Sequence, residues 1–117
     1  MMGREKPRIL CVSRSSSQLE AIRKALPSRD YEVVTASTPE QAVAVCVSNN
    51  VAAVVLDSEF ATEAGWSAAR TFKMVKPQLA VVLLGHDHEH GLPHGVDAVA
   101  PTYSAMLHKL DALLNRR

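Results

Sequence analysis

The residue best placed for chemistry is Asp57. It closes the apolar run Val51-Ala-Ala-Val-Val-Leu56, which puts a carboxylate at the C-terminal tip of a short buried strand. In an open parallel α/β sheet, ligands gather at those tips. A second chemically capable group is His86, His88, His90 and His94, with Asp87 and Glu89 interspersed. Alternate histidines of an extended segment point the same way, which opens a transition-metal site at His86, His88 and His90. The spacing does not match structural zinc motifs, and a solvated, partly protonatable loop is the plainer reading. His108 falls on the last helix and reads as a surface residue. Cys11 and Cys46 have neither a CxxC neighbour nor a nearby base. They read as buried free thiols in a reducing cytoplasm.

Periodicity defines the elements that must position Asp57. Arg8 to Val12 reads as a strand that is apolar on both faces. Ser17-Gln-Leu-Glu20 has capping-box spacing and predicts a helix through Leu26, broken by Pro27. Tyr31 to Ala36 alternates as a strand does. Thr38-Pro39-Glu-Gln41 is a second helix start, running through Ser48. The strand to Asp57 follows, then a polar loop from Ser58 to Glu63. Ala64 to Val75 predicts a third helix, and Leu79 to Leu84 a fourth buried strand. Val96 to Ala100 is a short fifth strand, and Ser104 to Leu114 a last helix with Leu107, Leu110 and Leu114 inward. Continuous apolar strands alternating with helices predict a parallel sheet covered on both faces.

The chain has 117 residues, 47% of them hydrophobic and 4% aromatic, so one domain spanning 1–117 with an aliphatic core is expected. A net charge of +1 gives no electrostatic case for nucleic acid. The polar start has no apolar segment long enough for a signal peptide, and no apolar run approaches membrane-spanning length. A cytoplasmic protein is expected, with neither nucleic acid nor membrane as partner.

The order of elements, Val54-Val-Leu-Asp57, Gly65 eight residues later, Pro77 before the fourth strand and Gly95-Val-Asp-Ala-Val lie at matching spacing over residues 7 to 114. On these features the chain resembles a response-regulator receiver domain of two-component signalling. The resemblance implies a flavodoxin-like, doubly wound sheet of five parallel strands in the order 2-1-3-4-5. It also makes Asp57 the phosphoacceptor position. In active members two acidic residues after the first strand help that aspartate bind Mg²⁺, a Thr or Ser ends the fourth strand, and a Lys ends the fifth. Here those positions hold Ser13 and Arg14, Gly85 (or Leu84 if the register slips by one), and Thr102; the switching aromatic position of the fifth strand holds Val99. Mg²⁺ wants several oxygen ligands, and phosphoryl transfer needs the moving charge neutralised. Two other readings of Asp57 stand beside this one. It is a polar strand end satisfied by backbone amides, or Arg14 reaches it and fills the place of the metal.

Gly91 and Pro93 interrupt helix between Gly85 and Gly95, where receivers carry their fourth helix, so that helix is expected to be missing or shortened. Its loss would uncover apolar surface near Leu83, Val96 and Val99 beside Leu107, and such surface marks an interface. Trp66 reads as a core-edge residue, with an exposed interface anchor as the alternative. The resulting expectation is a degenerate receiver that is not an enzyme, holds no cofactor and binds Mg²⁺ weakly or not at all. It would signal through a protein partner or a homodimer, with a histidine kinase or an output domain among the candidates. A weak phosphoacceptor at Asp57 is the first rival, and a metal-responsive module using the His86–His94 loop is the second. A flavin-binding protein is disfavoured because no phosphate-cradling Ser/Thr/Gly run is present.

Overall fold

The computed structural model describes residues 6–85 and 95–114. Five short strands form its sheet: β1 (Arg8–Val12), β2 (Glu32–Ala36), β3 (Ala53–Asp57), β4 (Ala80–Leu84) and β5 (Ala98–Ala100). All pairings are parallel, in the order β2-β1-β3-β4-β5. This is the flavodoxin-like topology that the sequence predicts. Four helices are described: α1 (Ser16–Ala25), α2 (Pro39–Ser48), α3 (Glu63–Val75) and α4 (Tyr103–Leu114). The segment where a further helix was expected to be lost or shortened, together with His86, His88, His90 and His94, lies outside the described residues.

Side chains of a strand alternate between faces, and that alternation sorts the core into two layers. Leu10, Val12, Val54, Leu56, Val81 and Leu83 point to the face covered by α2 and α3. Ile9, Cys11, Val55, Val82, Leu84 and Ala98 point to the face covered by α1 and α4. The central strands β3 and β4 are buried along their full length, which explains their unbroken Val/Leu/Ala sequence. Burial disfavours the charged thiolate and pushes the Cys11 thiol up to about 12, and it raises Cys46 as well. A disulfide-exchange reagent at pH 8 should therefore leave both thiols unmodified in the folded protein and titrate two in denaturant. Rapid reaction of Cys11 in the native state would contradict that burial.

Helix starts follow the caps, with one correction. Thr38 caps α2, its hydroxyl accepting from the Gln41 N–H at 3.1 Å, while Gln41 Oε1 accepts from the Ser37 N–H at 2.7 Å. The α1 cap, however, is Ser15 and not Ser17. Ser15 has extended backbone, and its Oγ accepts from the Gln18 N–H at 3.1 Å. The helix thus starts earlier than the capping-box spacing suggested. The loop after Asp57 also contains a 3-10 turn at Ser58–Phe60, and Thr62 caps α3, which begins at Glu63.

The uncovered apolar surface expected beside β4 and β5 is not found at Leu83 or Val96, both of which are buried. Two contacts hold the chain here. Gly95, at φ +89°, lies directly against α3, where an added Cβ would come within 2.9 Å of the Ala69 carbonyl carbon. Asp97 then accepts from Lys73 Nζ of α3 at 2.6 Å and from the Val81 N–H at 2.8 Å. So α3 clamps the chain as it enters β5. Val99 and Leu107 are half-buried, and Trp66 packs at the edge of the same core layer as Leu83 and Val96, as the core-edge reading expected. Asp97→Ala leaves the Val81 N–H without its acceptor and Lys73 without its ion pair, and should cost about 1–2 kcal/mol. Asp97→Asn keeps an acceptor for Val81 and should cost less than Asp97→Ala. Equal losses for the two, in urea denaturation, would show that the clamp does not work through Val81.

Candidate functional site

Asp57 stands at the carboxyl end of β3, its backbone in register with Leu84 of β4. Among the described residues, Ser13 and Asp57 are the two buried polar or charged side chains. They meet: Ser13 Oγ is 2.8 Å from Asp57 Oδ2. The same Ser13 Oγ is 3.0 Å from Glu59 Oε2, so one hydroxyl proton is shared between two carboxylates. That oxygen also accepts from the Ser15 N–H at 3.0 Å, which holds the β1–α1 turn over the site. Glu59 Oε2 accepts in addition from the Arg14 N–H at 2.7 Å.

The other Asp57 oxygen, Oδ1, accepts from the Ser58 N–H at 2.7 Å and from Gln18 Nε2 at 3.2 Å. Gln18 Oε1 accepts in turn from the Tyr103 hydroxyl, at the start of α4. Asp57 is therefore held by one backbone amide and two side chains. The reading that backbone amides alone satisfy it accounts for one of three partners.

Arg14 does not fill the place of a metal. Its guanidinium carbon sits 5.5 Å from the centre of the Phe60 ring, in cation–π range, and no ion pair joins it to Asp57 among the described residues. The backbone N–H of Arg14, not its side chain, serves the site. The Asp57 carboxylate already has three donors, so it does not need the guanidinium.

The remaining positions are placed as follows. Gly85 follows β4 in a positive-φ conformation (+82°), its N–H donating to the Ala100 carbonyl at 2.6 Å; an added Cβ would meet Ser58 Oγ at 3.5 Å. Thr102 caps α4, its hydroxyl accepting from the Ala105 N–H at 3.0 Å. A hollow of about 320 Å³ opens there, lined by Gln18, Leu84, Gly85, Pro101, Thr102 and Tyr103. It occupies the corner where the hydroxyl and lysine positions of the resemblance fall. His108 is exposed on α4. Among the described residues, no group of three or more His, Cys, Asp or Glu is arranged to hold a metal ion.

Sequence reading brought Asp57, Ser13, Arg14, Gly85 and Thr102 to this end of the sheet, and all five lie there. It missed Glu59, Gln18 and Tyr103. Glu59 had a visible signal, a carboxylate two residues after Asp57. Gln18 faces Asp57 because α1 starts at Ser16, and the misplaced cap hid it.

No protein-family model matches the sequence, and no curated protein matches it. Solved structures do. A CheY-like response regulator receiver domain protein of Methanospirillum hungatei is similar at 20% identity, with 95% of each chain covered and a TM-score of 0.81. A response regulator of Thermotoga maritima, solved with Mg²⁺ and BeF, is 25% identical, over 92% of this chain and 99% of that one, at a TM-score of 0.80. The chemotaxis protein CheY4 of Vibrio cholerae is 18% identical, over 94% of this chain and all of that one, at 0.81. The chain has the fold of response-regulator receiver domains.

Proposed function

We propose that this chain is an atypical receiver module that signals by protein–protein contact and does not depend on phosphorylation of Asp57. The observation that carries this reading is the state of the Asp57 carboxylate. Both oxygens are engaged by Ser13, Gln18 and Ser58, and no cationic side chain pairs with it among the described residues. A phosphoryl acceptor needs a free oxygen and positive charge around the incoming group. Here the lysine position is a helix cap, and the hydroxyl position is a glycine with no side chain to offer.

The metal that receivers use fits these residues poorly. Asp57 and Glu59 are the carboxylates available to it, but their nearest oxygens both converge on one serine hydroxyl. A hard, six-coordinate cation would have to break those bonds as well as shed water. Weak or absent Mg²⁺ binding is part of the reading.

The partner is a protein; a histidine kinase, an output domain and a second copy of the chain are the candidate classes. Of the residues first assigned to a docking face, Val99 and Leu107 keep some exposure, whereas Leu83 and Val96 belong to the core. Among the described residues no helix is long and apolar enough to cross a membrane. The free cysteines Cys11 and Cys46 accord with a cytoplasmic location.

Incubation with acetyl phosphate and Mg²⁺, followed by intact mass, tests the reading directly. No stable gain of one phosphoryl group is expected. A near-complete gain that Asp57→Asn abolishes would establish the rival reading, a working phosphoacceptor.

A further inference from the structure

Gln18 joins the Asp57 carboxylate to the end of α4. Gln18 donates from Nε2 to Asp57 Oδ1 at 3.2 Å and accepts at Oε1 from the Tyr103 hydroxyl. Three elements meet in this chain of bonds: β3 through Asp57, α1 through Gln18, and α4 through Tyr103. Gln18 and Tyr103 also line the hollow beside Gly85 and Thr102, and Tyr103 is one of the few large exposed apolar side chains among the described residues.

The direction of these bonds is fixed by chemistry. An ionised carboxylate accepts hydrogen bonds and cannot donate them. Gln18 must therefore turn its amide NH₂ inward to Asp57, which leaves its carbonyl outward. The outward carbonyl in turn requires Tyr103 to be the donor. A phenol can donate or accept, and a glutamine amide can flip, so the charge on Asp57 is what sets the polarity of the whole line.

We propose that Gln18 is a hydrogen-bond relay that reports the state of the Asp57 carboxylate to Tyr103 and to the hollow it lines. In one state Oδ1 is free to accept, Gln18 bridges, and Tyr103 is held against α1. In the other, Oδ1 is taken by another donor or a cation, Gln18 is released or reversed, and Tyr103 loses its acceptor. Anything that holds Tyr103 away from Gln18 favours the second state by the same amount, because coupling between two sites is reciprocal. The relay requires no phosphorylation and makes no assumption about the partner. Its failure and the failure of the proposed function are therefore separable: acetyl phosphate labelling tests the function and leaves the relay untouched.

Coupling along such a line is a claim about energies and needs a direct measurement. The experiment is NMR of the full chain with ¹³C-labelled tyrosine, reading the ring carbon that carries the hydroxyl. The chain has two tyrosines, and Tyr31→Phe assigns their signals. Four proteins are compared: wild type, Asp57→Ala, Gln18→Ala and the double variant. Asp57→Ala should move the Tyr103 signal by an amount comparable with that of Gln18→Ala, although Asp57 makes no direct bond to Tyr103. In the double variant the Tyr103 signal should match Gln18→Ala alone. If Asp57→Ala does not fold, Asp57→Leu is read in its place, since a side chain of similar size without an acceptor also releases Gln18. An unmoved Tyr103 signal in the Asp57 variant would overturn the relay. So would an Asp57 effect that persists at full size when Gln18 is alanine.

Discussion

Gly65→Ala should cost about 3 kcal/mol or more and lower the melting temperature by roughly 10 °C or more. The cause is backbone against backbone. An alanine Cβ at this position would lie 1.8 Å from the Phe60 carbonyl oxygen and 2.9 Å from its carbon. Neither atom belongs to a side chain that can rotate away. Relief requires α3 to lift or the Ser58–Phe60 turn to shift, and Phe60 is buried in the core. Alanine gains up to about 1 kcal/mol of helix propensity over glycine, which is too little to offset the overlap. Gly85→Ala provides the control. Its nearest atom is 3.5 Å away, so it carries the cost of its positive φ, about 1–2 kcal/mol, and little more. Urea denaturation of both variants gives the comparison. A Gly65 variant no less stable than the Gly85 variant would mean that the turn yields freely. The same turn carries Glu59 and the Ser58 N–H, so Gly65→Ala should also disturb the Asp57 pocket.

The sheet was legible in the sequence because its central strands are buried on both faces and written in unbroken Val, Leu and Ala. Asp57 was legible for a related reason: it is the one charge that such a run tolerates, at its tip. Boundaries set by side-chain caps were read less well. Ser13, Ser15, Ser16 and Ser17 all follow β1, and the sequence pattern picked out Ser17-x-x-Glu20. The choice between Ser15 and Ser17 depends on which residue keeps extended backbone while its hydroxyl reaches an amide three residues on, and that is settled by how α1 packs on β1. Beside β4 and β5, Leu83 and Val96 lie deeper than their sequence suggested, while Val99 and Leu107 keep some exposure. The entry to β5 is held by Gly95 touching Ala69 and by Asp97 reaching Lys73 and Val81, contacts between segments far apart in the chain that no local pattern reveals.

The site shows the same division. Asp57 was found at a strand tip, and Ser13, Gly85 and Thr102 from the receiver resemblance laid over the other strand ends. Partners fixed by side-chain reach were not. Glu59 approaches Ser13 and the Arg14 N–H because the 3-10 turn after β3 carries it across the carboxyl end of the sheet toward β1. The acidic pair absent after β1 is thus partly replaced by one carboxylate from the other side of the pocket. Arg14 illustrates the converse. Its charge suggested a partner for Asp57, but its guanidinium rests over Phe60.

Restoring carboxylates at the acidic-pair positions, with Ser13→Asp and Arg14→Asp together, should create Mg²⁺ binding without creating an efficient phosphoacceptor. The double substitution removes the shared hydroxyl proton and brings two new carboxylates next to Asp57 and Glu59. Ser13 is fully buried, so without metal the like charges should repel and the melting temperature should fall by several degrees. A divalent cation relieves that repulsion and gains the several oxygen ligands that it needs. At a concentration about 100 times its dissociation constant, Mg²⁺ would return about 2.7 kcal/mol. Thermal melts with and without Mg²⁺ should show a large rescue of the variant and almost none of the wild type. An equal Mg²⁺ shift in both would mean that Asp57 and Glu59 already hold the ion, and the weak-binding reading would be lost. Phosphorylation should stay slow even in the metal-bound variant. Metal neutralises part of the charge on a moving phosphoryl group, but the rest of the stabilisation needs donors and positive charge on its other side, where Gly85 has no side chain and Thr102 carries no charge.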